Sequence, residues 1–183
     1  HPTGQGAGIL VRLDGQALFR VAAESFADII RDTLARLCAE TSDRIPKFLL
    51  PVVTAQLAAR RAGNSLMRNL VKLDSLTVET KGHNDYVSEA DRAAEREVIE
   101  TVHKHYPDHA ILAEESGSTG ESETVWIIDP LDGTTNYLHR FPVFAVSIGV
   151  QVKGRMEHAV VYDPVRQELF TASRGVGAQL DGR

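Results

Sequence analysis

The sequence predicts an α+β domain in which two helices pack on an antiparallel sheet. Two observations carry that expectation. Between Val52 and His105 apolar residues recur at helical spacing in two stretches, and from Val143 onward they alternate in short runs broken by tight turns. A chain of 183 residues suits one domain, or one domain with an appendage. With 43% hydrophobic and 25% charged residues it has a globular rather than a disordered composition. The formal charge of -5 argues against a nucleic-acid surface as its main business, so direct nucleic-acid binding is not expected. Cys38 is the only cysteine, which excludes an intrachain disulfide and points to a reducing, cytoplasmic compartment. The mildly apolar stretch from Ile9 to Ala23 is interrupted by Arg12, Asp14 and Arg20, which rules against a signal-peptide core or a membrane span.

In chain order, residues 1–50 read as an N-terminal extension to which no role attaches. Ile9–Leu13 and Ala17–Val21 flank Asp14-Gly15-Gln16 as a hairpin, and Phe26, Ile30, Leu34 and Leu37 then share one face of a helix. The Gly-rich opening without Met leaves open a processed, a vector-derived or a misplaced start, or a genuine accessory helix. Pro46 and Pro51 bracket a boundary, so that residues 51–183 form the second unit. Val52–Leu70 reads as a helix with Val53, Leu57, Leu66 and Leu70 turned to the core and Ala62-Gly63 as a small face for close packing.

Lys81–Val87 is polar and contains Gly82 and Asn84, hence a loop. A second helix runs from Ser88 to about His105, with Ala94, Val98 and Val102 inward and a stop before Pro107. Ser88-x-x-Asp91 matches a capping box, so locally Asp91 reads as a cap. His103 and His105 point in different directions on a helix, and no zinc site is expected from them or from His109.

Ala110–Ala113 is a short apolar strand ending in Glu114-Glu115-Ser116-Gly117, followed by a polar loop, Gly117–Glu123, expected to be mobile. Val125–Ile128 is a second buried strand, and it stops at Asp129 and Asp132, separated by Pro130 and Leu131. If both strands end on the same side, Glu114 joins the aspartates. Gly133, Thr134, Thr135 and Asn136 suit a tight turn opening a short helix, whose free N–H groups would face an anion. Asp-Pro and Asp-Gly pairs are common turn formers, so this segment alone reads as a turn. Carboxylates and anion-binding amides in one loop nevertheless conflict unless a divalent cation lies between them, and Mg2+ takes such oxygen ligands together with phosphate. Beyond it, Val143–Val152, Met156–Tyr162, Glu168–Ala172 and a strand beginning at Ala178 form a meander, turned by Lys153-Gly154-Arg155, Asp163-Pro164 and Arg174–Gly177.

The twelve residues Trp126–Tyr137, WIIDPLDGTTNY, resemble the metal-binding signature of the inositol monophosphatase family, and Leu138–Val150, LHRFPVFAVSIGV, continues the likeness, closest to the bacterial branch. The resemblance covers Val52–Arg183 and implies the first portion of the layered αβαβα sugar-phosphatase fold. It implies Mg2+-dependent hydrolysis of a phosphate monoester, inositol 1-phosphate being the family's usual substrate; relatives act on fructose bisphosphate, histidinol phosphate or adenosine bisphosphate. Residue by residue it implies Glu114, Asp129, Asp132 and the carbonyl of Leu131 as metal ligands, with Asp129 bridging two ions. Asp91 and Thr134 would activate the attacking water, and Gly133, Thr134 and Thr135 would hold the phosphate. Family members are commonly lithium-sensitive homodimers. Bacterial relatives also bind the transcription machinery, which leaves a regulatory protein as the alternative. The family's Trp-Asp-x-Ala-Ala-Gly motif, which completes the second metal position, does not occur in this sequence, and weak or absent activity of the chain by itself is the expectation.

Overall fold

The computed structural model describes residues 47–73, 78–82 and 85–183. The hairpin and helix expected before Pro46 lie outside the described residues. A 3-10 turn, Lys47–Leu49, leads into helix α1, Leu50–Leu70, with Pro51 in the first turn, where its missing N–H has no intrahelical acceptor to lose.

The inward face of α1 is only in part the one the spacing predicts: Leu66 is buried and Leu70 packs against the core as expected, but Val53 and Leu57 do not. Val53 and Leu57 are 41% and 47% exposed, while Val52, Ala55, Ala59, Ala62 and Leu66 are buried. The reason is backbone approach: a stripe of alanines lets α1 lie close to its neighbours, and the larger Val53 and Leu57 fall outside that contact. Gly63 marks the tightest point, since a Cβ there would stand 2.6 Å from Cε1 of Tyr162 and 3.1 Å from Pro164.

Strands β1, Val78–Gly82, and β2, Asp85–Ser88, pair antiparallel with Val78 opposite Ser88, so Lys81, Gly82 and Asp85–Val87 lie in paired strands rather than in the expected loop. Backbone pairing needs no apolar side chain, and the polar composition concealed it. Helix α2, Glu89–His105, buries Ala90, Ala94, Val98 and Val102 completely, as its periodicity predicts. Asp91 and Glu95 on the same helix are buried as well.

A seven-stranded sheet in the order β4-β3-β5-β6-β7-β8-β9 carries the two helices. Its strands are β3 Ala110–Ala113, β4 Gly117–Thr119, β5 Thr124–Asp132, β6 Ala145–Val152, β7 Arg155–Asp163, β8 Glu168–Ser173 and β9 Gly177–Leu180. The last four form the predicted meander, antiparallel throughout. The sheet is mixed rather than wholly antiparallel because β3 and β5 run parallel, with Ala113 beside Ile128. Strand β4 pairs back on β3 and draws into the sheet part of the segment expected to be a loop. One face of the sheet buries Trp126, Ile128, Val146, Ile148, Val150, Val160, Tyr162 and Leu169 in the core with the helices. Full burial of such side chains contributes roughly 1.5–3 kcal/mol each. Among the described residues no helix is long and apolar enough to cross a membrane.

Helix α3, Thr134–Leu138, is a single turn pinned from beneath. The Tyr137 hydroxyl donates to the carbonyl of Leu66 in α1 at 2.7 Å, and its ring meets Phe144 edge-on at 5.0 Å. Burial, and then the charge of Asp91, raise the Tyr137 phenol well above its ordinary value, so it stays a donor.

Candidate functional site

The parallel pairing of β3 and β5 decides where the carboxylates go. Both strands end at the same edge, and the Glu114 N–H donates to the carbonyl of Ile128 at 3.1 Å, placing Glu114 next to Asp129. Beyond Asp129, β5 goes out of regular register: Asp129 pairs with Ser147 and Asp132 with Ala145, so β5 advances one residue more than β6. This bulge lets two aspartates three positions apart belong to one end of the strand. Within it, the Leu131 N–H donates to Oδ1 of Asp129 at 3.1 Å.

The chain next turns through Gly133 at φ 96°, a left-handed conformation that favours glycine. A Cβ would also sit 3.1 Å from the carbonyl oxygen of Val143. The turn is braced from the other side by Asn136, whose Nδ2 donates to that same carbonyl at 2.8 Å. It delivers Thr134 to two acceptors, with Oγ1 3.2 Å from Oδ1 of Asp91 and 3.0 Å from the carbonyl of Leu131. A hydroxyl has one proton and so donates to one of them at a time. Thr135 is exposed at the outer side of the turn.

Electrostatics show how crowded this edge is. Burial pushes the Asp129 carboxyl above the usual carboxylate range. A hydrogen bond with Glu114 opposes the rise, the charge of Asp132 adds to it, the Leu131 N–H opposes it, and Asp91 adds the last increment. Four acidic residues from α2, β3 and β5 therefore act on one another across a small region. Among the described residues, neither Asp129 nor Asp132 is paired with a cationic side chain. Among the described residues no three His, Cys, Asp or Glu side chains lie close enough together to form a metal-binding group. The donor set consists of carboxylates and a main-chain carbonyl, which fits a hard divalent cation such as Mg2+ and not a thiolate- or imidazole-preferring metal.

Sequence reasoning missed one buried member of this neighbourhood. Glu95, 4% exposed, accepts the backbone N–H of Glu115 at 2.8 Å. Its signal was available: an acid four residues after Asp91, between Ala94 and Val98, sits on an otherwise apolar helix face. His103 and His105 are exposed, whereas His109 accepts the Trp126 Nε1–H at 3.0 Å, so the histidines have separate surroundings.

A layered α+β domain with acidic strand ends facing a Gly-Thr-Thr turn defines a class of carboxylate-centred, oxygen-donor sites. Residues 50–183 match the sequence profile of the Inositol monophosphatase family, and the chain belongs to that family. It is 55% identical over 135 residues to the Nus factor SuhB of Salmonella typhimurium, covering 72% of this chain and 51% of that protein. It is likewise 55% identical over 130 residues to the Nus factor SuhB of Pseudomonas aeruginosa, covering 69% of this chain and 48% of that protein. Among solved structures it resembles the extragenic suppressor protein suhB of Bartonella henselae, with 44% identity, a TM-score of 0.71, and coverage of 72% of this chain and 52% of that one. The inositol monophosphatase of Anabaena gives 42% identity and a TM-score of 0.60, over 71% of this chain and 46% of that one. The chain thus spans about half the length of the curated relatives it matches.

Proposed function

We propose that the chain carries the acid-rich half of a Mg2+-dependent phosphate-monoester hydrolase, with inositol 1-phosphate as the first substrate to test. Fructose bisphosphate, histidinol phosphate and adenosine bisphosphate are the substrates to try next. The observation that carries this reading is the convergence of Glu114 and Asp129 at one sheet edge, with the Thr134 hydroxyl 3.2 Å from Asp91 beside it. Glu114, Asp129, Asp132 and the Leu131 carbonyl would hold Mg2+, which when bound polarises a phosphoryl oxygen and acidifies a water. The chain's own residues do the rest. Thr134, donating its proton to Asp91, keeps lone pairs with which to accept from a water and so orients it for attack on phosphorus. The N–H groups of Gly133 and Thr134, with Thr135 beyond, offer donors to the phosphoryl oxygens, each worth roughly 3 kcal/mol in comparable oxyanion sites. Positioning and charge stabilisation supply most of what phosphoryl transfer requires. The proposed division of the chain is an extension, 1–50, and a catalytic portion, 51–183. A lithium-sensitive homodimer in the cytoplasm completes the reading.

A second reading has its own support. The relatives at 55% identity are named Nus factors, which favours an association with the transcription machinery. Phosphate release from inositol 1-phosphate, measured with and without Mg2+, separates the two. Release that requires Mg2+ and is lost in Asp129→Asn supports the hydrolase. In a protein spanning the full length of its relatives, no release from any of the four substrates, with or without Mg2+, transfers the case to the regulatory reading.

A further inference from the structure

We propose that Glu95 is a positioning residue: from inside α2 it sets the end of β3, and through it the Glu114 carboxylate, for cation binding. The inference rests on the Mg2+ reading given above. Glu95 reaches the site region without facing it, being 4% exposed, with Oε2 2.8 Å from the Glu115 amide. That distance belongs to a well-formed hydrogen bond. The amide it accepts directly follows Glu114, whose own N–H is held by the Ile128 carbonyl at 3.1 Å. The backbone on both sides of the Glu114 carbonyl is therefore anchored, once to β5 and once to α2.

The placement on α2 makes this more than a local brace. Asp91 and Glu95 are one helical turn apart on the buried face, and each carboxylate meets a different part of the site: Asp91 the Thr134 hydroxyl, Glu95 the turn after β3. One rigid helix thus fixes the spacing between the Thr134 turn and the Glu114 turn, which belong to segments 20 residues apart in sequence. A buried carboxylate is costly to retain where an apolar side chain would pack, and here it has a specific amide to serve. Outer partners that orient metal ligands typically matter by 10- to 100-fold in affinity or activity.

The test uses Glu95→Gln, which keeps an oxygen acceptor at the same reach, and Glu95→Leu, which keeps the volume and removes the acceptor. Two readouts are taken on the chain: Mg2+ affinity by calorimetry, and amide hydrogen exchange at Glu115 without metal. The expected result is a loss of about tenfold or more in Mg2+ affinity and a comparable acceleration of exchange in Glu95→Leu, with Glu95→Gln close to the parent in both. If Glu95→Leu matches the parent in both readouts, or Glu95→Gln is as impaired as Glu95→Leu, the positioning role is overturned. If Glu95→Leu fails to fold, the Gln variant still decides: parent-like values support an acceptor role and impaired ones overturn it. Absence of Mg2+ binding by the parent sinks the metal reading and the inference's link to it. The exchange measurement separately decides whether Glu95 holds the turn.

Discussion

The two ends of the β3–β5 pair are built from opposite strategies. Where the strands begin, the Trp126 indole donates to Nδ1 of His109 at 3.0 Å, and Tyr106 stacks on His109 with ring centres 4.7 Å apart and planes 14° from parallel. Polar atoms there are served by one another inside an aromatic cluster. Where the strands finish, burial raises the Asp129 carboxyl, with the charge of Asp132 adding to the rise and a hydrogen bond with Glu114 opposing it. The first end pairs its polar atoms internally, and the second is the proposed cation site. Substitutions at the first should therefore change stability and leave cation binding alone, and substitutions at the second should do the reverse.

The largest effect should come from Asp129→Asn. Removing the carboxylate proposed to bridge two ions is expected to weaken Mg2+ binding by at least about 100-fold, more than Asp132→Asn does, while the metal-free fold keeps its stability. Calorimetric titration measures it, and equal affinities for parent and both variants would erase the difference between the ends. Next comes Asp91→Asn. Asn still accepts from Thr134, so the melting temperature should barely move, a change of about 1 kcal/mol at most, while turnover with Mg2+ in a full-length enzyme falls by roughly 100-fold or more. Intact turnover with the stability barely changed would return Asp91 to the role of a helix cap.

At the opposite end, Trp126→Phe removes the indole N–H and part of a fully buried ring. The expected cost is about 1–3 kcal/mol in denaturant unfolding, with Mg2+ affinity unchanged. The smallest effect is a titration. Burial lowers the His109 pKa from its ordinary value, against an opposing pull from Asp108. Protonation is therefore easier in the unfolded chain. The stability contributed by neutral His109 is present above the ordinary histidine range and is lost as pH falls through the lowered folded value. Trp126, the only tryptophan, reports on its own hydrogen-bond partner. Its fluorescence should change at a pH below 6.5 in the parent and show no such step in His109→Gln.

The elements that were legible in the sequence are those in which burial follows a simple period. Ala94, Val98 and Val102 in α2 and the alternating strands of the meander were readable because one face is apolar and the other is not. The carboxylate edge was readable for a different reason, the dense motif from Trp126 to Tyr137, with Gly133 in the strained turn that its position suggests. What stayed hidden depended on the third dimension. The choice between Val52–Ala55–Ala59 and Val53–Leu57 as the inward face of α1 follows from how closely Gly63 lets Tyr162 approach. The pairing of Val78–Gly82 with Asp85–Ser88 is made by the main chain in a polar segment. Glu95 lies outside the recognised motif, and the amide it accepts becomes visible only in the fold.

The bulge between Asp129 and Asp132 has a consequence for how this region tolerates mutation. The Thr134 hydroxyl lies 3.0 Å from an acceptor that belongs to the main chain of Leu131. No codon change at position 131 can delete a carbonyl oxygen; it can only alter the side chain, which is 1% exposed and sits in the core. Variation at this position is thus filtered by packing and not by chemistry. Isoleucine or methionine in place of Leu131 would leave the oxygen where it is, whereas deleting one residue between the two aspartates would displace it while leaving every acidic side chain in the sequence.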